Sequence, residues 1–131
     1  MANQIPTVTT LALMERYLDG AARRQVLRME NLAQIDTPGY KAKDIPFEKH
    51  MEELVQSAEK GQASPERLTQ ATGLPSAEFM QGLAVRPDQN NVNLDLELRA
   101  MSNASTRFNV IIQVMQQKLR LIRSSINDTR G

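Results

Sequence analysis

The stretch that decides the fold is LDLELRAMSNASTRFNVIIQVMQQKLRLIRSSI, which runs from Leu94 to Ile126. Its large apolar residues recur in alternating steps of four and three, with one break at Ser105. This is the heptad spacing by which one helix packs along another, so it predicts a long carboxyl-terminal coiled-coil helix. The predicted seam consists of Leu94, Leu98, Met101, Phe108, Ile112, Met115, Leu119, Ile122 and Ile126, and its main assembly residues are those from Leu98 to Ile122.

A second apolar stripe lies on an adjacent face of this helix and runs through Ile111, Val114 and Leu121. One seam needs one partner helix, whereas the second stripe needs a further neighbour. Burial of a Leu or Ile side chain contributes about 1.5–3 kcal/mol, so several exposed ones favour association. The pattern therefore predicts an assembling protein. The alternative is a hairpin whose burial is complete within one chain.

The partner for the seam is an amino-terminal helix with apolar residues at the same spacing. Thr9 or Thr10 is the predicted cap at its start. The helix should end near Asp36, because a residue that precedes proline, here Thr37 before Pro38, is pushed out of the helical region. The apolar stripe of this helix consists of Leu11, Met14, Leu18, Ala22, Val26, Met29 and Ala33.

Pro38 and Gly39 are the residues preferred at the two central positions of a type II turn. Asp36 stands just before this turn, where a carboxylate opposes the dipole of the helix that ends there. Its side chain either bonds to turn amides or faces a basic group on another subunit. The residues leave both possibilities open.

The middle of the chain gives weaker signals. One apolar face predicts a short helix that ends near Gly61, residues 62–76 read as a loop or mobile linker, and Phe79–Val85 as a short strand or hairpin arm. The apolar face of the short helix consists of Phe47, Met51, Leu54 and Ala58. The predicted fold is thus mainly α, with a coiled-coil helix in residues 1–36, a turn, short helix and irregular or partly disordered segment in 37–87, and a coiled-coil helix in 88–131.

Composition limits the functions that the chain can have. The 131 residues include three Phe, two Tyr and no Trp, so a compact core would be thin and burial would be completed by a partner. Sixteen basic and fifteen acidic residues nearly cancel, which gives no general attraction to nucleic acid or to anionic membranes. No stretch approaches the roughly 20 apolar residues that span a bilayer, so direct membrane insertion is not expected.

Candidate chemical groups are few. The lone His50, in a chain without Cys, makes a transition-metal site improbable. The polar run from Asp88 to Asn93 resembles a calcium loop, but Asn93 and Arg99 stand where such a loop needs Gly and Glu. The arginines of the first helix, Arg23, Arg24 and Arg28, are interpreted as a solvated or subunit-pairing face. The sequence predicts no catalytic residue and no cofactor or metal.

Residues 31–40 read NLAQIDTPGY. This resembles the amino-terminal signature of the flagellar rod and hook proteins, which runs Asn, any residue, Ala, Asn, two residues and Thr-Pro-Gly-Tyr. Gln34 stands where that family has its second Asn. The matching residues are Asn31, Ala33, Thr37, Pro38, Gly39 and Tyr40.

Two further stretches extend the resemblance. Residues Lys41–Phe47 are similar to the proximal rod members of the family. A second motif resembles the stretch that opens the carboxyl-terminal helix of such chains, with Gln89 where glycine is frequent. Its matching residues are Asp88, Asn90, Asn91, Val92, Leu94, Asp95, Glu97 and Asn103.

The resemblance implies a subunit of the flagellar rod, the drive shaft that spans the periplasm between the membrane ring and the hook. It implies export in unfolded form through the flagellar type III apparatus, and assembly with copies of the chain and with other rod and basal-body proteins. It also implies that the terminal helices are disordered in the isolated chain and ordered on assembly. The alternatives are a cytoplasmic helical adaptor or export chaperone that binds a partner helix, and a small enzyme with dispersed carboxylates.

Overall fold

The computed structural model describes residues 5–70 and 73–130, and the chain is mainly helical with close packing of two long terminal helices. This confirms the predicted fold class. Arg28 of the first long helix meets Glu97 of the last, and Gln25 meets Met101, so the two helices run antiparallel. The elements in chain order are α1 (Thr7–Ala33), β1 (Lys43–Asp44), α2 (Phe47–Glu59), α3 (Pro65–Gln70), β2 (Glu78–Phe79) and α4 (Leu94–Arg130).

Helix α1 begins before the predicted cap. Pro6 precedes its first residue, and the Pro6 carbonyl accepts a hydrogen bond from the Thr10 N–H at 2.9 Å. Thr9 is buried within the first turns, so neither Thr9 nor Thr10 is the cap. A proline is tolerated at a helix start because the N–H that it lacks would have no helical partner there.

A close approach between α1 and α2 explains a glycine inside a long helix. A Cβ atom at Gly20 would collide with the ring of Phe47. That ring meets Tyr17 edge-on, with centroids 5.0 Å apart, and packs in one apolar cluster with Leu27 and Ile45. Glycine weakens a helix interior by about 0.5–1 kcal/mol relative to alanine. Here its absent side chain makes room for the largest apolar group of α2.

The segment 62–76, predicted to be a loop, contains α3. The Ser64 hydroxyl accepts a hydrogen bond from the Arg67 N–H, as at a helix start, and Leu68 is buried. A helix of six residues is too short to show helical periodicity, which explains the wrong prediction. Residues 71–72 of the predicted loop lie outside the described part of the chain. The cluster that receives Leu68 also contains Ala12, Leu13 and Ala58.

The predicted arm Phe79–Val85 is a strand only at its start. Strand β2 pairs antiparallel with β1, so that Lys43 lies opposite Phe79 and Asp44 opposite Glu78. The ammonium group of Lys43 lies 5.4 Å from the centre of the Phe79 ring. This pairing joins the stretch between α3 and α4 to the stretch between α1 and α2.

The apolar stripe predicted for α1 does not form the buried face. Ala22, Val26, Met29 and Ala33 are exposed, and only the stripe's first half is partly covered. The buried face instead consists of Thr9, Ala12, Leu13, Gly20, Ala21, Leu27, Arg28 and Asn31. This face is covered largely by the middle segment of the chain. Helical periodicity alone does not reveal how that segment packs. Among the described residues, no helix is long and apolar enough to cross a membrane.

Candidate functional site

The two sequence motifs meet at one place in the structure. The Gly39 N–H donates to the carbonyl of Asp88 at 2.8 Å, and the Asn91 N–H donates to that of Tyr40 at 3.3 Å. These bonds join the turn after α1 to the stretch before α4. We call this region, residues 24–48 and 86–97, the junction.

The turn of the first motif forms as predicted. The Tyr40 N–H donates to the carbonyl of Thr37 at 3.3 Å, and Gly39 between them has φ +78°. Apart from its two chain neighbours, no described residue has an atom within 4 Å of where a Cβ on Gly39 would stand. The glycine is therefore required by its left-handed backbone and not by lack of space.

Asn90 closes the carboxyl end of α1 from across the chain. Its side-chain amide, fully buried, donates to the carbonyls of Gln34, Ile35 and Thr37 at 2.9, 3.1 and 2.9 Å. Its Oδ1 accepts from the Val92 N–H at 2.7 Å. The three carbonyls belong to the turn that follows α1, so one side chain from across the chain holds that turn in place.

Asn31 is the counterpart of Asn90 on α1 and is also fully buried. Its Oδ1 accepts from the Lys43 N–H at 3.0 Å and from the Tyr40 hydroxyl at 3.1 Å. Its Nδ2 donates to the Lys43 carbonyl at 2.9 Å and to Glu97 Oε1 at 3.3 Å. All four hydrogen-bonding positions of the amide are used, so this residue joins α1, β1 and α4.

Buried charges complete the junction. Arg28, which is 7% exposed, lies 3.3 Å from the carboxylate of Glu97 and 2.8 Å from that of Asp44. Arg24 also meets Asp44 at 2.8 Å and reaches Glu48 at 2.6 Å. Glu97 is 1% exposed and is the single buried residue of α4, all of which the structure describes.

The environment shifts the pKa of several of these groups. Burial raises the pKa of the Tyr40 phenol above its usual value, and repulsion by Glu30 and Glu97 adds to the rise. Partial burial alone would raise the pKa of Glu48, but the hydrogen bonds from Arg24 and from the backbone, together with the positive charge of Arg24, outweigh it and lower that pKa. Tyr40 is therefore held in its neutral, donating form, and Glu48 in its charged form.

The start of α4 distributes its polar residues among different tasks. The Asn93 side chain accepts from the Leu96 N–H at 3.1 Å and so caps the helix. Asp88 Oδ1 accepts from the Asn90 N–H at 3.1 Å, a bond that lies in the turn before the helix. Gln89 has φ +68°, the conformation that glycine adopts without strain.

The predicted main assembly residues of α4 are exposed at two positions and half-buried at five. Leu98 and Leu119 are 51% and 49% exposed. In the second stripe, Leu121 is 63% exposed, while Ile111 and Val114 are half-buried. The other main seam residues, all half-buried, are Met101, Phe108, Ile112, Met115 and Ile122.

Sequence reasoning missed the charged part of the junction. It interpreted Arg24 and Arg28 as a solvated or subunit-pairing face, whereas Arg28 is buried and Arg24 is half-buried. A signal was present, because these residues precede Asn31 by seven and three positions and share a helical face with it. Their partners Asp44 and Glu97 are distant in sequence and could not be paired with them by pattern.

No protein-family model matches the chain. It is 26% identical over 121 residues to the flagellar basal body rod protein FlgB of Escherichia coli. This match covers 84% of this chain and 87% of the relative. FlgB of Salmonella typhimurium is 27% identical over 120 residues, with the same coverage. FlgB of Borreliella burgdorferi is 25% identical over 118 residues, covering 82% of this chain and 87% of the relative. In agreement with the resemblance in the two motifs, the chain is a distant homologue of the flagellar basal body rod protein FlgB.

Proposed function

We propose that this chain is a non-enzymatic, structural subunit of the flagellar basal-body rod, in the part that spans the periplasm. Its partners are copies of itself and other rod and basal-body proteins. The observation that carries the proposal is the junction: the two family motifs form one buried polar network that sets α4 against α1. The FlgB homologues support the structural role in the rod.

The surface that the junction leaves uncovered supports assembly. Helix α4 buries one residue in 37, and that residue is charged. Apolar residues exposed together on one protein mark interaction surfaces. Those of α4 that are about half exposed or more are Leu94, Leu96, Leu98, Val110, Leu119, Leu121 and Ile126.

The mechanism that we infer is folding coupled to assembly. The chain passes through the flagellar type III export apparatus unfolded, and its terminal helices complete their packing at the growing end of the rod. Burial of apolar side chains against neighbouring subunits offsets the entropy lost on ordering. Head-to-tail contacts that do not close on themselves give an open filament, as a shaft requires.

Torque transmission requires that each subunit resist twisting between its helices. The junction supplies this resistance, because Asn31, Arg28 and Glu97 bond side chain to side chain across α1 and α4 in the interior. Hydrogen bonds and ion pairs are directional, whereas apolar packing is not. We therefore assign the junction to geometry within the subunit and the exposed apolar surface of α4 to cohesion between subunits.

The seam assignment is tested by Ile112→Asp. A carboxylate at this half-buried seam position should prevent incorporation into the rod while expression continues, because a charge cannot be buried unpaired between helices. Gln113→Asp, at the next and exposed position, is the matched control and should assemble normally. Normal incorporation of the Ile112 variant would contradict the seam.

The function itself is tested in purified hook–basal bodies from the source organism. Mass spectrometry should find this chain at several copies per particle after stringent washing. If the chain is absent there and stays soluble in the cytoplasm, the rod proposal is wrong. A helical adaptor or export chaperone would then be the better assignment.

A further inference from the structure

The carboxyl-terminal half of α1 carries an exposed apolar stripe beside the face that meets α4. We call it the outer stripe, and it consists of Ala22, Val26, Met29 and Ala33. These residues follow one another in steps of four, three and four, the spacing by which helices pack along one another. Val26 and Met29 are 40% and 51% exposed. This half of α1 thus presents a second surface on which a helix can pack.

The carboxyl-terminal end of α4 extends beyond α1. The antiparallel contacts between the two helices place Thr7, the first residue of α1, level with about residue 118 of α4. Residues 119–130, about 18 Å of helix at 1.5 Å per residue, therefore extend past α1. Ile5, which precedes α1, packs on the apolar cluster that α1 forms with α2 and α3. We call residues 119–130 the overhang.

The overhang has an apolar stripe that matches the outer stripe. Leu119, Ile122 and Ile126 follow one another in steps of three and four, and Leu119 and Ile126 are 49% and 52% exposed. The overhang and the outer stripe both extend over three turns of helix, so they fit along each other. They cannot meet within one chain, because Met29 lies level with about residue 96 of α4, roughly 45 Å from Ile126.

The charges next to the two stripes have opposite signs. Glu30 and Asp36 are exposed on α1 and just after it, and their side chains make no ion pair or hydrogen bond within residues 5–70 and 73–130. The same is true of Lys118 and Arg123 on α4. The overhang and Lys118 together hold four basic residues and one acidic residue. Asp36 also opposes the dipole of α1, so it is stabilised by nothing in its own chain.

We propose that the overhang of one copy of this chain packs on the outer stripe of a second copy. The two helices run antiparallel, with Ile126 opposite Met29 and Ile122 opposite Ala33. Contact along both stripes buries apolar side chains that are exposed in the single chain. The inference rests on the proposed function, because it identifies the neighbour that covers the end of α4.

The charges favour the antiparallel direction. In this register Arg123 lies beside Glu30, and Lys118 lies beside Asp36. A parallel arrangement around the same central pair would bring the exposed Arg23 of α1 to the basic residues of the overhang instead. Charge complementarity of this kind determines register and direction more than it adds to affinity.

The antiparallel direction also gives an open assembly. Within one chain α4 already runs antiparallel to α1, so the second copy points the same way as the first. It is displaced along the helix axis by about 45 Å, since Met29 is level with residue 96 of its own α4 and with residue 126 of the neighbour's. A contact between two different surfaces that repeats by translation does not close, as a shaft requires.

Disulfide cross-linking in purified basal bodies tests the pairing. The chain has no cysteine, so Met29→Cys combined with Ile126→Cys introduces its only two thiols. With copper–phenanthroline and oxygen as the oxidant, each facing pair of thiols should lose two protons and two electrons and link neighbouring copies. The expected product is a ladder of dimers and higher multimers. Each single variant is a control, as is Met29→Cys combined with Val110→Cys at an exposed position far from the overhang, and none of them should give a ladder.

Exchange of the charges tests the register. In cells whose only copy of the chain is the variant, Glu30→Arg and Arg123→Glu should each lower the number of complete basal bodies about tenfold, because like charges then face each other. The double variant restores an opposite pair and should recover most of the loss. Arg120→Glu, which is exposed and turned away from the apolar stripe of the overhang, is the control and should assemble normally. Urea denaturation of the isolated chain should be the same for all four variants, which separates lost assembly from lost folding.

The two proposals fail in different ways. If the chain is present in basal bodies but the paired cysteines give no ladder, the pairing is wrong and the rod function stands. A double charge variant that assembles no better than the single ones would overturn the register. If the chain is absent from basal bodies, the pairing and the rod function are both wrong.

Discussion

The junction and the distal half of α4, residues 110–130, invert the usual distribution of side chains. At the junction, Glu97 is 1% exposed and Asn31 and Asn90 are fully buried. In the distal half, Leu121 is 63% exposed and Ile126 is 52% exposed. Polar groups are thus buried at the junction, and large apolar groups are exposed in the distal half of α4. The comparison indicates that the first region fixes the shape of the subunit, whereas the second awaits a partner.

The two regions differ in the kind of free energy that they supply. A buried ion pair adds little net stability compared with an apolar pair, but loss of one partner is costly because it leaves a charge unpaired. Exposed Leu and Ile side chains contribute nothing until a neighbour covers them. The junction should therefore be ordered in the isolated chain, and any disorder of the termini should be confined to the distal turns.

The largest expected effect is at the distal surface, with Leu121→Asp. Its side chain is the most exposed of the large apolar ones, so the folded chain should lose no more than about 0.5 kcal/mol of stability. Incorporation into the rod should be lost, because the charge would be buried against the neighbour. Urea denaturation and basal-body mass spectrometry measure the two quantities. Arg120→Asp is the charged control, and loss of stability in the Leu121 variant would contradict the comparison.

The largest effect on the folded chain is expected for Glu97→Gln. The amide keeps the shape of the side chain but removes the charge that faces Arg28 in the interior. The free energy of unfolding should fall by about 3 kcal/mol. The control is Asp95→Asn, two residues before Glu97. It alters only an exposed ion pair with Arg99 and should cost less than about 1 kcal/mol. Equal stability of the two variants, measured by urea denaturation, would mean that the buried pair does not hold the helices.

A smaller loss is expected for Asn90→Ala, which removes the hydrogen bonds to three carbonyls after α1. The free energy of unfolding should fall by about 2 kcal/mol. Hydrogen exchange should accelerate at the carboxyl end of α1, although the substitution is distant from it in sequence. Asn109→Ala, on the exposed face of α4, is the control. Unchanged hydrogen exchange at the carboxyl end of α1 would contradict this role of Asn90.

The sequence predicted the parts of this molecule that local rules determine. The two terminal helices follow from apolar spacing, and the Thr37–Tyr40 turn follows from Pro38 and Gly39. The resemblance in the motifs indicated a relation to the flagellar rod proteins, and the distant FlgB homologues support it. The motifs also include Asn31, Asn90 and Glu97, the buried polar residues of the junction.

The sequence could not predict which groups meet across the chain. Arg28 and Glu97 are 69 residues apart, and a charged residue on a helix is normally solvated. The buried face of α1 was mispredicted because Gly20, Asn31 and Arg28 are small or polar and do not count in an apolar pattern. These contacts depend on how the middle segment covers α1, which no local rule specifies.

The smallest expected effect is a gain, at Gln89→Gly. Gln89 holds φ +68° at a position where glycine is frequent in the family, and a left-handed conformation costs a side-chain-bearing residue about 1–2 kcal/mol. Glycine removes this strain but adds entropy to the unfolded chain, so the net gain should be about 0.5–1 kcal/mol. Gln116→Gly in α4 is the control and should lose about 1 kcal/mol, because glycine weakens a helix interior. A loss at both positions in urea denaturation would show that Gln89 is not strained, and that the junction tolerates its departure from the family without cost.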